Sequence, residues 1–232
     1  MNSCLWIDNP GTPLEDRQKP WLPPRIGNDW LCKRGKGNEP NEVAGYQLAV
    51  ALQVPVPEHR FFVCVASCND QTITHRKIGL LIKEVSGPKT NYSDLLKSDT
   101  ESGIRHLGLR LFSTSEWPEL ILTESGAVAV DLEFVLAHLA FPSLDSTREL
   151  EVATDSYRDQ TGNVFLSCYE EVKRHGLEDL FLQRLPQFLD GASRTFFPDF
   201  RQLPEGQQFS DFYRKCYEAR CASLLDLVAV FE

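Results

Sequence analysis

Lys33 and Glu42 are the residues of this chain whose types and spacing best suit chemistry on an anion. Lys33 closes a short apolar run, Trp30 to Lys33, and a turn containing Gly35 and Gly37 follows it. Asn41 and Glu42 then open a stretch in which Gly45, Leu48, Ala49 and Leu52 recur at helical steps. The pattern predicts a strand that delivers a lysine and a helix that carries a glutamate in its first turn. Asn41 reads as the N-cap, and a negative charge at Glu42 suits the positive end of the helix dipole. A carboxylate so placed can hold an ammonium group where it meets phosphate oxygens.

The elements that must position this pair are legible on either side of it. Pro55 and Pro57 stop the helix, and extended backbone begins near Val54. His59 to Ala66 and Lys77 to Val85 read as strands, joined through a turn at Asn69-Asp70. Past Gly87 the pattern turns helical over Tyr92 to Phe112, where Gly103 and Gly108 argue against a single unbroken helix. Glu119 to Thr123 and Ala127 to Leu132 flank Glu124-Ser125-Gly126 and predict a hairpin, and Phe134 to Phe141 reads as helix. Phe165 to Arg174, Leu177 to Leu185 and Phe209 to Phe231 carry apolar residues at three- and four-residue steps and predict further helices. The expected organisation is an irregular, proline-rich arm over 1–24, an α/β lobe over 25–88 and a mainly helical lobe over 89–232.

Composition narrows the function classes. With 24 basic against 33 acidic residues the formal charge is −9, which argues against a non-specific binder of nucleic acid or of an anionic membrane. No apolar run approaches the roughly 20 residues that span a bilayer. The N-terminus lacks the basic start and apolar stretch of a secretory signal. The seven cysteines are scattered, with neither zinc-ribbon nor redox-pair spacing, as expected of reduced thiols in a cytoplasmic protein. His59, His75, His106, His138 and His175 show no metal-ligand spacing. There is no Walker A, GxSxG or HExxH motif.

The segment NEVAGYQLAVALQVPVP, residues 41–57, resembles the corresponding stretch of HipA-like kinases, atypical members of the protein-kinase-like fold. The match is close over about 30 residues and looser as far as residue 141. The resemblance implies an α+β, two-lobed kinase-like fold that binds ATP and Mg²⁺ between a β-rich N-terminal lobe and a helical C-terminal lobe. It assigns Lys33 to the nucleotide phosphates and Glu42 to the ion pair that orients Lys33. By the same likeness the hairpin ELILTESGAVAVDLEF, residues 119–134, ends on the metal-binding aspartate, Asp131. Glu133 would be a second ligand if the strand continued past Asp131.

The sequence departs from that family just before the hairpin. Leu111 to Leu120 contains neither a His-x-Asp nor an asparagine, and no GxGxxG loop precedes Lys33. Glu116 is the carboxylate that would stand in as the base for an accepting hydroxyl. Two readings follow: an ATP-dependent phosphotransferase, whether its acceptor is a protein, a lipid, a nucleoside or a small molecule, or a catalytically inactive kinase-fold module that binds or regulates a protein partner. A third, a two-metal nuclease using the Asp131-Leu132-Glu133 spacing, requires a sheet that continues beyond this strand.

Overall fold

The computed structural model describes residues 25–26, 29–34, 39–67, 74–114, 116–136, 160–200 and 206–231. The expected arm at 1–24, the glycines at 35 and 37 and the turn at 69–70 lie outside the described residues. Among the described residues the architecture is mixed α/β, with two small antiparallel sheets and six helices.

The first sheet is built from β1 (Arg25–Ile26), β2 (Trp30–Arg34), β3 (His59–Ser67) and β4 (Thr74–Lys83), in the order β1-β2-β4-β3. Between β2 and β3 runs α1 (Glu39–Ala51). Side-chain alternation divides this sheet into two faces. Leu80 and Ile82 of β4 enter the main hydrophobic cluster, whereas Leu81 joins Cys32 and Trp30 in a small cluster. The register pairs Lys33 with Leu80 and Cys32 with Leu81. Residues directly opposite on neighbouring strands point to the same side, so Lys33 is directed to the face that packs on α1.

The second sheet, β5 (Lys89–Thr90), β6 (Glu119–Thr123) and β7 (Gly126–Val130), contains the expected hairpin. Leu120 pairs with Ala129, and both lie in the main cluster. The helical stretch expected over Tyr92 to Phe112 is two helices, α2 (Tyr92–Ser98) and α3 (Thr100–Arg110), and the break falls at neither glycine. Asp99 breaks it: its backbone N–H caps α2 at the Leu95 carbonyl, and its carboxylate accepts the Ser102 N–H to start α3. A side chain that satisfies an orphan helix donor outcompetes helix continuation here. Gly103 then lets α3 press on α2, because a Cβ there would lie 2.8 Å from Leu96 Cδ2.

The helix expected from Phe134 also does not form where the chain is described. Val135 makes an isolated bridge to Ser113, and the Leu136 N–H donates to the Phe112 carbonyl at 3.0 Å. These long-range bonds take the backbone groups that a helix would use internally. Residues 137–141 lie outside the described residues. The remaining helices are α4 (Thr161–Lys173), α5 (Glu178–Thr195) and α6 (Gly206–Phe231).

Buried residues on both sides of the expected lobe boundary belong to one cluster that runs from Val43 to Val228. Its fully buried aromatic residues include Tyr46, Phe112, Phe165, Phe181, Phe200 and Tyr213. Phe112, just past α3, stacks on Tyr217 of α6 with ring centroids 5.2 Å apart. No described helix is long and apolar enough to cross a membrane.

Candidate functional site

Three elements remote in sequence meet at the Lys33 ammonium. Its Nζ donates to Glu42 Oε1 at 2.7 Å and to Asp131 Oδ1 at 2.8 Å. The Glu42 side chain is 2% exposed, that of Lys33 19% and that of Asp131 47%. The network therefore runs from the interior at Glu42 to solvent at Asp131.

Local structure explains each position. Lys33 is turned toward α1 by the β2–β4 register. Glu42 lies in the first turn of α1, which begins at Glu39. Asn41 is consequently inside the helix and is not its N-cap; its Oδ1 accepts a hydrogen bond from the Tyr213 hydroxyl at 2.6 Å. Burial gave this asparagine a tertiary partner in place of the local capping role. Asp131 follows the last residue of β7 with φ of +58°, a left-handed conformation that costs a non-glycine residue energy. That turn ends the strand and presents the carboxylate to Lys33.

The turn is seated against Gly45, three residues after Glu42 and on the same side of the helix. A Cβ on Gly45 would lie 2.6 Å from the Leu132 carbonyl oxygen and 2.9 Å from Leu132 Cβ. Tyr46, four residues after Glu42, is fully buried and stacks on His59 at 4.7 Å. His59 Nδ1 donates to the Pro57 carbonyl at 3.0 Å. Gly45 and Tyr46 thus belong to the site, and their helical spacing from Glu42 was the available signal.

Electrostatics follow from this burial. Burial alone would lower the Lys33 ammonium, but Glu42 and Asp131 outweigh it and hold it above its ordinary value. Burial pushes the Glu42 carboxyl up to about 7, with Lys33 pulling it down and Asp131 and Glu133 adding to the rise. Burial likewise pushes the Tyr46 phenol up, and it lowers His59.

Glu42, Asp131 and Glu133 each offer a carboxylate oxygen within 4.8 Å of the others. Hard oxygen donors at that separation suit Mg²⁺ or Mn²⁺. Glu133 reaches this group although the chain turns after β7 and does not extend the strand. The nuclease reading needs a sheet that continues past β7, and among the described residues no strand follows it. Glu116 lies exposed between α3 and β6 and takes no part in the ion-pair network around Lys33.

Fold and site together define a mixed α/β protein in which a strand lysine is clamped by a helix carboxylate and a post-hairpin carboxylate. No family model, curated protein or solved structure matches the chain.

Proposed function

We propose that this protein binds a nucleoside triphosphate with Mg²⁺ at the Lys33–Glu42–Asp131 network, in the manner of a HipA-like kinase. One observation carries the reading: a single ammonium group bridges two carboxylates delivered by β2, α1 and the turn after β7. In this reading Lys33 contacts the nucleotide phosphates and Glu42 keeps the ammonium extended toward them. Asp131, with Glu133, holds Mg²⁺, which when bound neutralises phosphate charge. Glu42 is the buried anchor, and the half-exposed Asp131 is the group that meets ligand from solvent.

A second reading is favoured by the position of Glu116. The carboxylate expected as base stands outside the network, so a kinase-fold protein that binds nucleotide or a protein partner without transferring phosphate fits the same residues.

Thermal unfolding with and without Mg-ATP, Mg-ADP and Mg-GTP tests the proposal. Nucleotide at 100 times its dissociation constant should add about 2.7 kcal/mol. For a chain of this size that is a rise of roughly 5–10 °C. No shift with any of the three would remove the nucleotide reading. Release of γ-phosphate, abolished by Asp131→Asn, would separate the transferase from the inactive module.

A further inference from the structure

The first two turns of helix α1 are buried on every side. Glu39 through Tyr46 are all buried, a run longer than two turns. An ordinary surface helix is held in one rotation by its apolar stripe. α1 has no such stripe, and apolar burial alone gives it little preference for the rotation that turns Glu42 toward Lys33. Specific contacts must set it. On one side these are the Lys33–Glu42 ion pair and the approach of Gly45 to Leu132. On another they come from the C-terminal third of the chain. The Tyr213 hydroxyl of α6 donates to Asn41 Oδ1 at 2.6 Å across 172 residues, and Gln47 Oε1 accepts the Asp199 N–H at 3.3 Å.

We infer that Tyr213 is a positioning residue: its bond to Asn41 fixes the rotation of α1 and thereby aims the neighbouring Glu42 at Lys33. Asn41 and Glu42 are adjacent on a helix, so their directions differ by a set angle of about 100°. Fixing one side chain fixes the other. Tyr213 is itself immobilised, fully buried and stacked on Phe200 with centroids 5.5 Å apart. The C-terminal helix is in this way coupled to the ion pair through Asn41. The inference concerns the ion pair; only its consequence for nucleotide rests on the reading proposed above.

The test compares two phenylalanine substitutions on α6. Tyr213→Phe removes the hydroxyl that reaches α1. Tyr217→Phe removes a buried hydroxyl that donates to the Leu189 carbonyl of α5 at 2.8 Å. Lys33 is observed by NMR, without nucleotide and at one fixed pH, in protein carrying isotopically labelled lysine and assigned with Lys33→Met. Tyr213→Phe should move the Lys33 side-chain signal as Glu42 swings away, whereas Tyr217→Phe should leave it in place. Where the protein binds Mg-ATP, Tyr213→Phe should also weaken binding about fivefold, the equivalent of one hydrogen bond. An unchanged Lys33 in Tyr213→Phe, or equal shifts in both variants, overturns the inference. Absence of nucleotide binding in the unaltered protein would sink the proposed function and leave the Lys33 result standing.

Discussion

Gly45 and Leu132 are in direct contact through their backbones, so closely that a Cβ on Gly45 would fall 2.6 Å from the Leu132 carbonyl oxygen. This contact sets how near α1 lies to the turn bearing Asp131. It therefore helps set the distance between the two carboxylates that share the Lys33 ammonium.

Gly45→Ala should destabilise the protein, although alanine is ordinarily favoured over glycine in a helix by about 1 kcal/mol. The obstructing atom is backbone and cannot swing aside. Gly191, within α5, has nothing within 4 Å of the corresponding position. Gly191→Ala should show the ordinary gain. Opposite signs of the two melting-temperature changes are the expected result; a stabilised Gly45→Ala would mean that the contact is not tight.

Lys33→Met and Asp131→Asn should each abolish the Mg-nucleotide stabilisation proposed above while leaving a folded protein. Asp131 is half-exposed, and methionine conserves the apolar stem of Lys33. Isothermal titration with Mg-ATP reads the loss, and circular dichroism checks the fold. Retained binding in both variants would place the nucleotide elsewhere or nowhere.

The Glu42 carboxyl should make stability depend on pH in a defined direction. Its value rises from 4.5 to about 7 on folding, so the folded state holds the extra proton between those limits. The contribution is fully present below pH 4.5 and is lost as pH rises through 7. The slope is on the order of 1 kcal/mol per pH unit. Glu42→Gln lacks this titration. Chemical denaturation from pH 4.5 to 7.5 should show the unaltered protein losing stability relative to Glu42→Gln; parallel curves would contradict a raised Glu42.

Asp99→Ala should cost about 1 kcal/mol, the usual value of an N-cap. The carboxylate accepts the Ser102 N–H at 3.1 Å and separates α2 from α3. A lower denaturation midpoint with unchanged Lys33 NMR signals would place this defect in the helical layer, away from the ion pair. An unchanged midpoint would show that the cap is dispensable.

The residues around Lys33 show which information is local. The strand at Trp30–Arg34, the helix that carries Glu42 and the hairpin before Asp131 follow from nearest-neighbour patterns: alternation, 3.6-residue spacing and turn residues. Those patterns depend on residues a few positions apart, so they were legible. The start of α1 was not. Asn41 carries a capping side chain, but its oxygen belongs to Tyr213, far along the chain. Gly103 and Gly108 argued against one unbroken helix, but the place of the break at Asp99 was hidden because Leu95, Leu96, Ile104 and Leu107 are apolar at helical steps on both sides of it. Glu116 could be selected only by its charge and place in the order, and folding leaves it outside the network.

The amino-acid order by itself determined that a lysine-bearing strand, a glutamate-bearing helix and an aspartate-ended hairpin would form. Backbone sterics and the burial of alternate or every third or fourth apolar residue act over short distances and require no knowledge of the rest of the chain. Only the tertiary structure decided that Lys33 and Asp131, 98 residues apart, share a hydrogen bond, and that Gly45 and Tyr213 frame the helix between them. Those relations depend on how layers pack and at what rotation, because a few tenths of an ångström at Leu132 or one buried hydroxyl on α6 sets where a carboxylate points.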